Sequence, residues 1–288
     1  MKKPRVIAEI GCNHMGQLKT AEKMIEIASR FAGVDVVKFQ KRNNKILYSE
    51  QEFNKPHPVP ENSYGKSYGE HREFLEFDLT THKKLKKLCD KYNIDYSCSV
   101  WDTESAKEII SLKPNIIKVP SAHNLDFPLL DVICKSHKGE IHISTGMTTK
   151  KEIKEIIRYL KYKKKLKKTV LYYCVSSYPA KDEDLCLLEI NEFYKKYNKE
   201  LLAIGFSGHH QGIAIDIAAL TLGARYFERH FTLDRTWKGT DHAASLEPEG
   251  LRRLNRDIKT VNMTLKNWNG KFVSSELTQR KKLKKLKK

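Results

Sequence analysis

The residues able to do chemistry in this chain cluster where its apolar runs end. His209 and His210 follow the run LLAIGFS, and Glu228 and His230 close the run RYFERH. Between them, residues 211–223 form a small-residue, Ile- and Ala-rich segment of helix length, so strand, helix, strand is the natural reading. Neighbouring parallel strands lie about 4.8 Å apart, which lets an imidazole at each strand end share one small ion. Two imidazoles are too few to close a structural metal shell. They suit a divalent cation with open positions, the arrangement that polarises a carbonyl oxygen. A second signal comes from Lys38 in VVKFQ and Lys118 in IIKVP. Each lysine sits inside an apolar strand, where an unpaired buried cation is costly.

The elements that must position these residues repeat along the chain. Short apolar strands are expected at RVIAEI (from Arg5), VDVVKFQ (from Val34), DYSCSV (from Asp95), NIIKVPS (from Asn115), EIHISTG (from Glu140), TVLYYC (from Thr169), LLAIGFS (from Leu201) and RYFERH (from Arg225). Helical segments are expected between them at 18–31, 80–92, 103–112, 128–136, 150–162, 184–197 and 211–222, and after the last strand at 249–265. Eight strands alternating with eight helices is the pattern of an α/β fold of the (β/α)8 TIM barrel type. A doubly wound open sheet is the alternative, but no Gly-rich phosphate fingerprint follows the first strand. The barrel is expected to span 1–270, with a long polar loop insertion without clear periodicity at 41–78 and a basic C-terminal tail at 271–288. Insertions of that length in compact domains tend to be functional.

A barrel gathers its working groups where the strands end on the carboxyl side. Those ends carry Glu9, Asn13 and His14; Lys38 and Gln40; Ser99 and Asp102; Lys118 and Ser121. The later strands add Ser144 and Thr145; Ser176 and Tyr178; Ser207 and His209; Glu228 and His230. Two lysines and several hydroxyls facing one mouth suit a phosphate and a carboxylate together. Glu9 and Glu228 are placed to complete a metal shell through water or to move protons. No Ser-His-Asp order or G-x-S-x-G elbow supports acyl transfer. A Schiff base on Lys118 is conceivable, but it leaves the histidine pair unexplained.

Composition narrows the partners. The 288 residues hold 54 Lys and Arg against 35 Asp and Glu, a net charge of +19. Much of the surplus sits in RYLKYKKKLKK (from Arg158) and RKKLKKLKK (from Arg280), a solvated helix end and a frayed terminus. Neither run interleaves the aromatics and glycines of a stacking platform, so no nucleic-acid partner is expected. No apolar run approaches the ~20 residues that span a bilayer, and no membrane partner is expected. The six cysteines form no C-x-x-C pair; reduced thiols and a cytoplasmic location follow as the simple reading.

The stretches AEIGCNHMG, VVKFQ, SYGEHREFLEF, KVPSAHN, STGM, GFSGHHQGIAI, ERHFTLD and TWKGTDHAASLEP, in that order from Ile7 to about Leu254, resemble the sialic acid synthase family, N-acetylneuraminate synthase and its relatives. The resemblance implies a (β/α)8 barrel that condenses phosphoenolpyruvate with an open-chain N-acetylated aldose. The products are a 2-keto-3-deoxy nonulosonic acid and inorganic phosphate. It implies a divalent metal ion, Mn2+ or a similar ion such as Mg2+ or Co2+, with His209 and His230 as ligands. Lys38, Ser99, Lys118, Ser121, Ser144, Ser176 and Ser207 would hold phosphoenolpyruvate. Gln40, Tyr178 and Asp241 would face the sugar, with Glu9 beside the reacting centre. The implied reaction has C3 of phosphoenolpyruvate attacking a metal-polarised aldehyde, water adding at C2, and phosphate leaving by C–O cleavage. A homodimer is also implied.

The chain departs from the family at several positions. His123 stands where an acidic residue near the sugar is usual, Ser176 replaces the Asn of some members, and Gly208 stands where many bacterial members have an acid. Family members usually continue into an antifreeze-like domain that lends an arginine to the partner's active site, and here Arg72 of the insertion is the candidate substitute. SYGEHREFLEF and TWKGTDHAASLEP look most like the branch that includes the animal enzymes, whose acceptor is the 6-phosphate of N-acetylmannosamine. Lys66, His71, Arg72 and Lys238 are then the candidate partners of that phosphate. A barrel that binds metal without turnover, acting as a binding or assembly component, is the alternative function.

Overall fold

The computed structural model describes residues 2–285, so the last three residues of the basic tail lie outside the described residues. Eight parallel strands close into one barrel in chain order: β1 Arg5–Gly11, β2 Val36–Lys41, β3 Asp95–Val100, β4 Ile116–Val119, β5 Glu140–Ser144, β6 Thr169–Cys174, β7 Ala203–Gly208 and β8 Tyr226–His230. β1 closes the ring by pairing with both β2 and β8. The fold expected from alternation is the fold observed.

On β2, β4, β7 and β8 the inward face runs from apolar to polar toward the carboxyl end. Because side chains alternate with period two, Ile7 and Glu9 share a face of β1, as do Val36, Lys38 and Gln40 on β2, and Tyr226, Glu228 and His230 on β8. The amino-terminal half of the interior is filled by a cluster of Ile7, Val36, Ile116, Val170, Tyr172, Ala203 and Tyr226. The register then sets Glu9 beside both Lys38 and His230, Ser99 beside Lys118, and Ser207 beside Glu228. A slip of one residue in any strand would turn its chemical groups outward into the helix layer.

The outward strand faces meet amphipathic helices. Lys150–Tyr162 buries Ile153, Ile156 and Leu160, and Thr149 and Glu152 form a reciprocal cap at its start. Such a cap satisfies two of the backbone N–H groups that a helix start leaves unpaired. Two expected helices begin later than their sequence suggests. The segment expected at 211–222 is helical over Ala214–Thr221, because Gly212 takes a positive φ of 72°. The segment expected at 184–197 is helical over Glu189–Tyr197, after Cys186 breaks the path with a φ of 40°.

The insertion corrects the expectation of an irregular loop. It folds into the short helices Asn44–Leu47, Glu50–Phe53 and Tyr68–Leu75, whose first turns are capped by the side chains of Asn43, Ser49 and Ser67. Too short to show an apolar period, these helices are specified by their caps. The basic tail is likewise helical over Leu277–Leu283 rather than frayed from Arg280.

Candidate active site

A cavity of about 420 Å³ opens at the carboxyl ends of the strands. Its floor is a chain of charges. Lys38 Nζ lies 2.5 Å from Glu9 Oε2 and donates to Ser99 Oγ at 2.6 Å. Lys118 Nζ donates to Glu228 Oε1 at 2.6 Å and sits 4.7 Å over the Tyr172 ring. Glu228 Oε1 also accepts from Ser207 Oγ at 3.3 Å and lies 3.6 Å from Lys38 Nζ. All four charged side chains are buried. Burial of this kind is tolerated because each cation has a carboxylate partner.

The two carboxylates have different proton affinities. Burial would raise Glu228, but Lys118 and Lys38 together outweigh it and hold the carboxyl down to about 2. Burial also raises Glu9, with Lys38 opposing and Glu228 reinforcing, and its carboxyl rests at about 7. Glu228 is therefore a fixed anion, and Glu9 can exchange a proton near neutral pH. Gln40 Nε2 donates to Glu9 Oε1 at 2.9 Å and orients it. Gly11, at φ 53°, leaves room for that contact: a Cβ there would lie 3.1 Å from both Gln40 Nε2 and Glu9 Oε1.

The histidines close the opposite wall. His209 and His230 have ring centroids 5.5 Å apart, with the Tyr178 ring 4.1 Å from His209. His209 Nδ1 donates to the Val175 carbonyl at 2.7 Å, which leaves Nε2 as the free lone pair. Burial, partly offset by Asp241, lowers His230 to about 4, so it is neutral, and its Nδ1 is buried without a hydrogen-bond partner 3.7 Å from Asp241 Oδ2. Among the described residues no group of three or more His, Cys, Asp or Glu is placed to hold a metal. Two imidazoles on neighbouring strand ends, His230 neutral and with an unpartnered nitrogen, are a donor set that fits a divalent ion with most positions open.

His210 lies outside the cavity. It packs behind His209 in a buried cluster with Asp216 and Arg229, where Arg229 donates to Asp216 Oδ2 and to the carbonyls of His210 and Gly212 at 2.5–2.8 Å. Arg229 thereby ties the end of β8, next to His230, to the backbone that carries His209.

The cavity is lined by Glu9, Lys38, Gln40, Arg72, Ser99, Lys118, Ser121, Ser144, Ser176, Tyr178, Ser207, His209, Glu228, His230 and Asp241. Gly146 N donates to Ser121 Oγ at 3.0 Å, and a Cβ at Gly146 would fall 2.2 Å from Ser176 Oγ, so glycine lets the two hydroxyls converge. Ser144 Oγ is buried and unpartnered. Other strand-end residues are committed elsewhere: Asn13 to Phe231 O and Ser245, Asp102 to the start of helix Thr103–Ser111, Thr145 to Tyr172 O, and His14 to the Phe77 ring.

His123, expected at the sugar, does not line the cavity. It ends a single 3-10 turn, Ser121–His123, where its Nδ1 is 3.8 Å from Asp126 and its ring is 5.4 Å from the ring of Trp101, which takes the cavity face instead. Of the candidate phosphate partners only Arg72 reaches this cavity. Lys66 is exposed, His71 packs against His57, and Lys238 lies over Tyr64. Sequence reasoning missed Arg42 and Trp101 in the wall. The signal was present, since Lys38, Gln40, Arg42 and Ser97, Ser99, Trp101 continue the period of two beyond their strands.

The chain as a whole is similar to known proteins. The NeuB family model matches residues 24–270. The chain is 35% identical over 279 residues to the N-acetylneuraminate-9-phosphate synthase of Homo sapiens, covering 96% of this chain and 76% of that protein. It is 37% identical over 262 residues to the N,N'-diacetyllegionaminic acid synthase of Campylobacter jejuni, covering 91% and 77%. Among solved structures, the N-acetylneuraminic acid (sialic acid) synthetase of Leptospira borgpetersenii in complex with citrate aligns with a TM-score of 0.82 at 28% identity, covering 98% of this chain and 93% of that one. The chain belongs to the NeuB family and is an enzyme of the sialic acid synthase type.

Proposed function

We propose that this enzyme condenses phosphoenolpyruvate with an N-acylated aldose to give a nonulosonic acid and inorganic phosphate. The observation that carries this reading is the buried floor, in which Lys38 and Lys118 each meet a carboxylate within 2.6 Å below a wall of five serines. Lysine charge and directed hydroxyls match the carboxylate and phosphate of phosphoenolpyruvate. Ser99 and Ser207 are already oriented by the floor, and the unpartnered hydroxyl of Ser144 is free to bond to substrate.

Glu9 is the proton carrier. In its acid form it gives a proton to the aldehyde oxygen as C3 of phosphoenolpyruvate forms the new C–C bond. The resulting carboxylate takes a proton from the water that adds at C2, and the C2–O bond to phosphate then breaks. Lys38 and Lys118 hold the substrate anions in place while charge shifts between them. Gln40, Tyr178 and Asp241 face the sugar, and Trp101 takes the place expected of His123. His209 and His230 would hold a divalent ion such as Mn2+. When bound, that ion supplies Lewis-acid polarisation of the aldehyde carbonyl.

The test is phosphate release from phosphoenolpyruvate over a panel of N-acylated hexoses, with and without Mn2+. Release that requires both sugar and metal is expected. Release without any sugar, or none with every sugar, contradicts the reading. Sedimentation of the active enzyme checks the homodimer that the family resemblance implies. Among the described residues no helix is long and apolar enough to cross a membrane.

A further inference from the structure

The barrel interior beneath the site is filled largely by apolar side chains, yet β5 sends a polar face through it. Glu140, His142 and Ser144 share one face of that strand, and His142 is only 1% exposed. An imidazole in such a layer is costly unless its nitrogens are bonded, and here both are. Nδ1 lies 2.9 Å from the Tyr172 hydroxyl, and Nε2 lies 3.1 Å from Glu140 Oε2. The Tyr226 hydroxyl donates to the same carboxylate at 3.0 Å, and its ring meets the His142 ring edge-on at 5.0 Å.

These bonds run in one direction. Burial would raise Glu140, but hydrogen bonds from His142 and Tyr226, with the charge of Arg5, hold its carboxyl below the usual value. It is an anion and can only accept. Burial lowers His142 against the raising pull of Glu140, so the ring is neutral at neutral pH. A neutral ring that donates from Nε2 must accept at Nδ1, and the Tyr172 hydroxyl therefore donates to it. A phenol that donates to a basic nitrogen has a more electron-rich ring, and Lys118 Nζ lies 4.7 Å over that ring. Lys118 needs the support. Burial lowers its ammonium from the usual lysine range, and Glu228 restores only part of the loss. Glu228 takes one of its three N–H groups. The ring face fixes where Nζ sits without neutralising it and leaves an N–H for a substrate anion.

We infer that Glu140, His142 and Tyr172 form a hydrogen-bonded column that positions Lys118 for phosphoenolpyruvate, which makes His142 and Tyr172 positioning residues for the reaction. The inference rests on the proposed placement of phosphoenolpyruvate at Lys118 and extends it to the layer beneath the cavity. None of the three residues lines the cavity, so each acts through the lysine. An aliphatic residue in place of His142 would fill the same layer and need no partner, so packing alone does not account for an imidazole there.

The experiment is a double-mutant cycle in phosphoenolpyruvate affinity, measured by calorimetry on the parent, Tyr172→Phe, Lys118→Met and the pair. Tyr172→Phe keeps the ring and removes only the hydroxyl. It should raise the Kd about 3- to 10-fold and leave the KM of the acceptor alone. In the Lys118→Met background the same change should do nothing, because no lysine remains to be held. Equal effects of Tyr172→Phe in both backgrounds overturn the column, since a hydroxyl that serves only packing acts with or without the lysine. His142→Leu should resemble Tyr172→Phe, and His142→Asn, which sets an amide oxygen near the place of Nδ1, should restore part of the affinity. No difference between these two overturns the directed bond. NMR of the ligand-free enzyme labelled with 13C-lysine separates the column from the placement of phosphoenolpyruvate. The Lys118 signal, identified by its loss in Lys118→Met, should shift in Tyr172→Phe and in His142→Leu. A shifted signal with parent-like affinity in Lys118→Met upholds the support of Lys118 and rejects phosphoenolpyruvate as its ligand. An unmoved signal rejects the column whatever the affinities are.

Discussion

The floor and the insertion wall of the same cavity are built on opposite principles. The floor stands on barrel strands, and its cations meet carboxylates within 2.6 Å. The wall stands on the chain after β2 and its short helices, each capped by side chains at its start, and Arg72 there has no carboxylate partner among the described residues. A closed barrel fixes side chains through registers on both sides of every strand, so the floor is set before substrate arrives. Helices of one or two turns are marginal alone, so the wall gains most of its order from what it contacts. Under the proposed function the reaction falls to the barrel and contact with the acceptor to the insertion.

Removing the histidine pair should have the largest effect on this division. His209→Ala or His230→Ala should cut turnover by roughly 10³-fold or more, the scale of losing Lewis-acid stabilisation. The far-ultraviolet circular dichroism should be unchanged. Parent-like turnover in both variants would remove the metal assignment. Behind the pair, Asp216→Asn leaves the buried Arg229 without its carboxylate and should cost about 3–5 kcal/mol in denaturant unfolding. A loss below about 1 kcal/mol would mean that the cluster does not brace β7 and β8.

Effects confined to one substrate sharpen the comparison. Lys118→Met should weaken phosphoenolpyruvate binding by roughly 1.5–3 kcal/mol in calorimetry and leave the insertion helices intact. Unchanged affinity would move phosphoenolpyruvate away from the floor. Smallest is Ser67→Ala, which removes the cap of helix Tyr68–Leu75 and should cost about 1 kcal/mol of local stability. Its expected kinetic signature is a raised KM for the acceptor with little change for phosphoenolpyruvate. The reverse pattern would undo the division of labour between floor and wall.

How far the sequence spoke for itself follows the same boundary. Lys38 and Lys118 were legible because a cation inside an apolar strand breaks a strong pattern, and the alternation that buries Val36 necessarily turns Lys38 inward as well. His209 and His230 were legible because they stand at the carboxyl ends of consecutive apolar runs, His209 just past β7 and His230 closing β8. Arg42 and Trp101 followed the same period but lay one step past the strands, where it is easy to stop counting. His123 failed for the opposite reason. The 3-10 turn from Ser121 interrupts the period, and position alone cannot say which way a turn residue faces. Arg229 was invisible because RYFERH carries charges on both faces, and nothing local tells the brace from the site. The insertion helices carried only cap signals, Ser49 with Glu52 and Ser67 with Glu70, too brief to outweigh the polar composition around them.

The central claim is that carbon–carbon bond formation is coupled to cleavage of the C–O bond of phosphoenolpyruvate. It is tested most directly with phosphoenolpyruvate labelled with 18O in the bridge between C2 and phosphorus, incubated with an N-acylated hexose and Mn2+. C–O cleavage leaves the label in phosphate, formed in equal amount with an unlabelled nonulosonic acid, and that is the expected result. Label in the organic product, or phosphate formed without a sugar-derived acid, would contradict the account.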